Sequence, residues 1–213
     1  MDKRKKTILI VIVAVICIIA IVAGLFILLK KEKIEKVSNY YEKLKSASSY
    51  NFIAVLNDEN TTNYTREGNK AYIDSTYKGR NSKYIIKDGN TYLLKDNDKS
   101  YYTYTNNEIE LYKIENQFYN IKDNDAVSGK ENIDGTKYKY EEFKGYTSFY
   151  FNSIDEGVNE DNIKTRFYFD KENNLVYIKT IIDENTEQLV KIDYSENINK
   201  DVFEIPSDYE KMN

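Results

Sequence analysis

Histidine and tryptophan are absent from this chain of 213 residues, and cysteine and proline occur once each. Without histidine the commonest general base is gone, and with it the Ser-His and Cys-His nucleophile arrangements and most zinc sites. The eight glycines are scattered, mostly at turns, so no glycine-rich loop cradles a phosphate. What remains for acid–base chemistry is adjacent carboxylates, Glu141 with Glu142 and Asp155 with Glu156, whose positions at turns or strand ends read as a solvated face. Asp96-Asn97-Asp98 and Asp123-Asn124-Asp125 offer oxygens to a hard cation but lack the glycine and glutamate of an EF-hand loop, and read as hairpin tips. The triplets beginning at Asn60 and Asn63 match the N-glycosylation pattern, a match that arises by chance in a chain so rich in Asn and Thr. The expectation is a protein that is not an enzyme, with no cofactor and no metal.

Thr7 to Leu29 is a run of 23 residues without charge or proline. As a helix it would be about 35 Å long, enough to cross a bilayer. A secretory signal has an apolar region of only about 7–15 residues before a small-residue cleavage site. This run continues through Gly24, Leu25 and Phe26 to Leu29, which predicts an uncleaved anchor. Cys17 lies in the middle of it as a small packing residue, and Ile16 before it does not suit a lipid-attachment site. Lys3, Arg4, Lys5 and Lys6 precede the run and Lys30, Lys31, Lys33 and Lys36 follow it, which leaves the positive-inside count tied, but a short N-terminus before a first span is usually kept inside, which places the rest of the chain outside the cytoplasm. The division that follows is a basic tail at 1–6, a transmembrane helix at 7–29, a juxtamembrane amphipathic helix at 30–49 packed on the soluble domain, and a β-rich domain at 50–213.

Of 31 basic and 35 acidic residues, 8 and 3 fall in Met1–Lys36, leaving 23 and 32 for residues 37–213 and a net charge of −9. So acidic a domain is a poor nucleic-acid binder. Its 177 residues suffice to bury one core without staples. Richness in Lys, Asn, Ile and Tyr resembles the product of an AT-rich bacterial genome, and with the anchor it points to the cell membrane of a Gram-positive bacterium.

Ile34, Val37, Tyr41 and Leu44 recur at helical spacing, with charged residues between them, and no proline or glycine separates this segment from Gly24, so the helix is expected to continue from the span. From Tyr50 the period drops to two. Short runs follow at Ala71–Tyr77, Tyr84–Lys87, Thr91–Lys95, Tyr101–Thr105, Lys137–Phe143, Tyr146–Phe151, Lys164–Phe169, Leu175–Ile182 and Gln188–Tyr194. Tips such as Asp88-Gly89-Asn90 and Asp134-Gly135 select hairpins, so a meandering antiparallel sheet is expected. Asn107–Ile121 reads as a second short helix crossing one face of it.

Tyrosine, at 21 residues, is the feature in excess. It suits a half-buried pleated surface, and it would equally line an apolar ligand cavity. The candidate cavity residues are Phe52, Tyr92, Leu94, Tyr102, Tyr104, Phe167, Phe169, Val190 and Ile192.

Two segments carry a family resemblance. The hairpin Phe167–Ile178, followed by Val190–Ile198 and then Asn199-Lys200-Asp201-Val202-Phe203-Glu204-Ile205-Pro206, resembles the chain end of the LolA-like and LppX-like lipoprotein carriers, and Asp88–Leu94 resembles their recurrent hairpin. The resemblance implies an α+β fold, mainly antiparallel β: a curved open half-barrel with one or two covering helices, here after an N-terminal transmembrane helix. It also implies an apolar cavity for an acyl chain, a lipid or a lipidated protein. Retention of a span departs from carriers that diffuse freely. The function expected is a membrane-tethered extracytoplasmic binding module, the alternative being a cell-surface sensor or protein-interaction domain with a filled core.

Overall fold

The computed structural model describes residues 36–105, 114, 118, 126–145 and 162–212. The apolar run Thr7–Leu29 and the expected strand Tyr146–Phe151 lie outside them, and no described helix is long and apolar enough to cross a membrane. Residues 36–213 form one compact unit. It contains helix α1 (Lys36–Ser46) and strands β1 (Ser49–Asn57), β2 (Asn60–Glu67), β3 (Lys70–Tyr77), β4 (Arg80–Lys87), β5 (Asn90–Lys95), β6 (Ser100–Thr105), β7 (Val127–Ile133), β8 (Thr136–Lys144), β9 (Lys164–Phe169), β10 (Leu175–Ile181), β11 (Glu187–Ser195) and β12 (Glu210–Lys211).

All twelve strands belong to one open sheet in the order β12-β6-β5-β4-β3-β2-β1-β11-β10-β9-β8-β7. Every neighbouring pair is antiparallel except β12 with β6. The expected meander is thus two meanders, β1–β6 and β7–β11, joined where β1 pairs with β11. The turns behave as their residues require. Asp88 and Gly89 have φ of 54° and 72°, and Asp134 and Gly135 have 48° and 80°, the pair of left-handed residues that matches a two-residue hairpin to the strand twist.

Strands β2 and β7 escape a reading based on apolar alternation. In β2 the only large apolar residue is Tyr64; its other face is a polar ladder in which the Asn51 amide donates to Asn63 Oδ1 at 2.6 Å and to Thr65 Oγ1 at 2.9 Å. Asn60 and Asn63, the candidate glycosylation residues, are both hydrogen-bonded within this ladder region. In β7 the apolar residues stand only at the two ends.

The register divides the sheet into two faces. One carries Tyr50, Phe52 and Ala54 of β1, Tyr64 of β2, Ala71 and Ile73 of β3, Ile86 of β4, Phe143 of β8, Phe167 and Phe169 of β9, Ile178 of β10, and Val190 and Ile192 of β11. All are buried in one cluster with Val37, Tyr40, Tyr41 and Leu44 of α1, so the helix lies on this face. Those four residues are spaced i, i+3, i+4 and i+7, the stripe that a helix buries. Within the stretch expected to form a second helix, Ile114 and Phe118 are described and both are buried in the same cluster.

The opposite face is crossed by the chain end. After β11 the chain forms a 3-10 turn, Lys200–Phe203, that packs over β3 and β4 with Phe203 buried, and then pairs as β12 with Ser100 and Tyr101. Ion pairs hold this strap in place: Lys200 with Glu67, Lys87 with Glu204 at 2.7 Å, and Lys99 with Asp208 at 2.7 Å. The Phe203-Glu204-Ile205-Pro206 segment therefore covers the outside of the sheet, away from α1.

Candidate functional site

The nine candidate cavity residues do not share one surface. Phe52, Phe167, Phe169, Val190 and Ile192 lie together beneath α1, and all five are buried. Rings fill that region: Tyr64, Tyr50, Tyr194, Tyr40, Phe118, Phe167 and Phe143 form a continuous chain of contacts with centroids 5.6–6.0 Å apart. Tyr40 sits within it with no hydrogen-bond partner for its hydroxyl among the described residues, and burial pushes that phenol far above its ordinary pKa. Tyr92 and Leu94 point the other way. Their register with Ile85 and Lys83 puts them on the opposite face, where Tyr92 packs on Tyr101 at 6.1 Å. The alternation within β5 and β6 leaves either parity open to a reading of the sequence, and only the pairing decides it.

Tyr102 and Tyr104 belong to the helix-bearing face but to its other end. Cross-strand pairing lines up Ile73, Tyr84, Leu93 and Tyr102 across β3 to β6, with Tyr104 beside Thr91 one step along. Tyr84, Leu93 and Tyr102 are half-buried, and Tyr104 is 49% exposed. An apolar row in register thus continues the core surface out toward solvent.

The helix enters the domain through a contact that the sequence concealed. Glu141, on β8, is 2% exposed and faces α1, and its two carboxylate oxygens accept the backbone N–H groups of Lys36 and Val37, each at 2.8 Å. Donors of this kind are the ones that a helix start leaves without intrahelical partners. A negative charge here also complements the helix dipole, and α1 has no acidic residue of its own in the first turn. The expected continuation of the helix from the apolar run falls on residues 30–35, outside those described; from Lys36 onward the helix is tied to the sheet by this carboxylate. Lys36 itself reaches Asn173 Oδ1 with its ammonium and lies 5.2 Å from the Phe169 ring centroid. Glu141 is therefore a buried cap and not part of a solvated pair, while Glu142, one residue on, faces the opposite side of the sheet.

On that opposite side a polar network links four strands. Glu131 of β7 accepts from Arg166 Nη1 at 2.7 Å, from the Tyr168 hydroxyl at 2.6 Å and from Lys179 Nζ at 2.8 Å, and Arg166 Nε donates to Glu142 at 2.7 Å. The Arg166 guanidinium lies 4.6 Å from the Tyr140 ring centroid, and Tyr140 packs on Tyr168 at 5.5 Å. Gly129 leaves room for the Tyr140 ring as it stands in this stack, because a Cβ there would fall 2.4 Å from its outer end. Burial alone would raise the Glu131 pKa, but the hydrogen bonds from Lys179, Tyr168 and Arg166 outweigh it and hold the carboxyl at about 2. A general acid or base works best with a pKa near the operating pH. A carboxylate pinned in the ionised state by three donors is instead a structural clamp on edge strand β7. Asp96 is likewise engaged, accepting from Lys83 at 2.5 Å and from the Tyr209 hydroxyl at 2.7 Å.

No protein-family model matches the sequence, and no curated protein matches it. Solved structures similar to this chain include an uncharacterized conserved protein from Thermus thermophilus, with a TM-score of 0.45 and 7% identity over 83% of this chain and 96% of that one. They also include the Mycobacterium tuberculosis lipoprotein LppX, with a TM-score of 0.43 and 12% identity over 79% of this chain and 99% of that one.

Proposed function

We propose that this chain is a membrane-tethered, extracytoplasmic binding module that takes an acyl chain, as part of a lipid or of a lipidated protein, against the helix-bearing face of its sheet. The observation that carries this reading is the row Tyr84, Leu93 and Tyr102 with Tyr104 beside it, apolar side chains left half-covered in continuity with a closed core. An acyl chain laid along them would be removed from water at about 0.8 kcal/mol per methylene. The resemblance of the C-terminal segments to lipoprotein carriers points the same way.

A second reading, a surface sensor or protein-interaction domain, is favoured by the ring-filled core beneath α1. Binding separates the two. The soluble part from Lys31 onward, purified natively, should carry lipid detectable by mass spectrometry and bind a fluorescent fatty acid saturably. Tyr102→Asp should abolish that binding, whereas Tyr92→Asp, on the other face, should leave it intact. Absence of saturable binding across several lipid classes would favour the protein-interaction reading.

A further inference from the structure

At the β7–β8 end of the helix-bearing face stands a group of lysines. Lys130 and Lys139 are directly opposite each other in the ladder, and Lys137 follows on the same face. All three are exposed, and among the described residues none makes an ion pair. Like charges in opposed positions repel, so the arrangement does not serve the sheet. The carboxylates around them have other partners: Glu141 caps α1 and with Asp170 offsets part of the charge on Lys36, Asp170 also accepts from Asn174, and Glu131 and Glu142 hold Arg166 across the opposite face.

This cluster adjoins the point where the chain enters the domain. Lys139 is two residues from Glu141 on the same face of β8, and after burial it is the next cause holding the Lys36 ammonium below its ordinary pKa. Seven residue steps separate Lys36 from Leu29, at most about 25 Å of extended chain, and Lys30, Lys31 and Lys33 lie within them. Residues 37–213 carry a net charge of −9, yet they place Lys130, Lys137 and Lys139 together at the end of the sheet where Lys36 enters.

We propose that Lys130, Lys137 and Lys139, beside Lys36, form a surface that seats the domain on the anionic lipid headgroups of the membrane holding the tether. The proposal rests on reading Thr7–Leu29 as a span. Each lysine near an anionic surface contributes on the order of fivefold to partitioning, so the three together contribute on the order of a hundredfold.

The test uses the full chain with Cys17→Ser and a donor dye on Asn132→Cys, reconstituted into vesicles containing an acceptor-labelled lipid. Energy transfer should be higher with phosphatidylglycerol present than in pure phosphatidylcholine. It should fall in about 0.5 M NaCl, where the Debye length shrinks to about 4 Å, and in the K130E/K137E/K139E triple variant. If circular dichroism shows that variant to be misfolded, the corresponding Lys→Gln triple replaces it. Transfer that does not depend on phosphatidylglycerol overturns the proposal. Retention on phosphatidylcholine vesicles after an alkaline wash reports the span separately: a chain retained there with lipid-independent transfer refutes the docking surface alone. A chain lost from those vesicles, yet held by phosphatidylglycerol in a salt-sensitive way, refutes the span and supports the lysine surface.

Discussion

Replacing Glu141 with alanine removes the acceptor for two backbone donors at the start of α1 and leaves both in a buried setting. Each unsatisfied buried N–H costs about 1–3 kcal/mol, and loss of the carboxylate also forfeits its attraction to the helix dipole. Water admitted to the vacated space recovers part of this, so the expected loss is about 2–4 kcal/mol. Glu141→Gln keeps the shape and one acceptor oxygen while turning an amide group toward the other donor, and should cost about half as much. The helix is an independent reporter, because its hydrophobic stripe, Val37, Tyr40, Tyr41 and Leu44, is held down by that first turn. Hydrogen exchange of the Tyr40–Leu44 amides should accelerate roughly 30- to 800-fold in Glu141→Ala, at about 1.4 kcal/mol per tenfold. A change below about 0.5 kcal/mol, the range of an exposed substitution, would refute the assignment of Glu141 as the cap.

Acid should unfold the β7–β10 end in a way that depends on Glu131. Its folded pKa of about 2 lies below the ordinary 4.5, so its contribution is complete above about pH 5 and is lost as pH falls toward 2. After allowance for solvent screening it is on the order of 1–2 kcal/mol, and Glu131→Gln should remove that part of the slope in urea titrations run from about pH 6 to 2. Gly129→Ala would drive a methyl group into the Tyr140 ring and should destabilise by about 1–3 kcal/mol; an unchanged urea midpoint would show that the ring moves freely. Phe169→Ala, beneath α1, should cost about 3–5 kcal/mol, measured the same way. Protease added to intact, wall-stripped cells should degrade the domain while a cytoplasmic control survives, and full protection would place the domain inside.

Sequence alone determined the local events. The strand segment Lys164–Phe169, the type I′ tips at Asp88-Gly89 and Asp134-Gly135, and the apolar stripe of α1 were legible because each depends on backbone preferences and side-chain period within a few residues. The shared layer of Phe167, Phe169, Val190 and Ile192 was legible too, since alternation and adjacent pairing suffice to specify it. Tertiary structure decided the rest. Tyr92 and Tyr102 look equivalent in sequence, yet a register set by the neighbouring strand sends them to opposite faces. Glu141 and Glu142 look like one solvated pair, yet the sheet separates them, burying one under a helix start 104 residues away and placing the other on Arg166. Lys130 and Lys139 become opposed charges only once β7, a strand with almost no apolar signal, pairs with β8. In each case the deciding interaction joins positions whose proximity depends on which strands pair, a choice made by the free energy of the whole sheet and not by any short window of sequence.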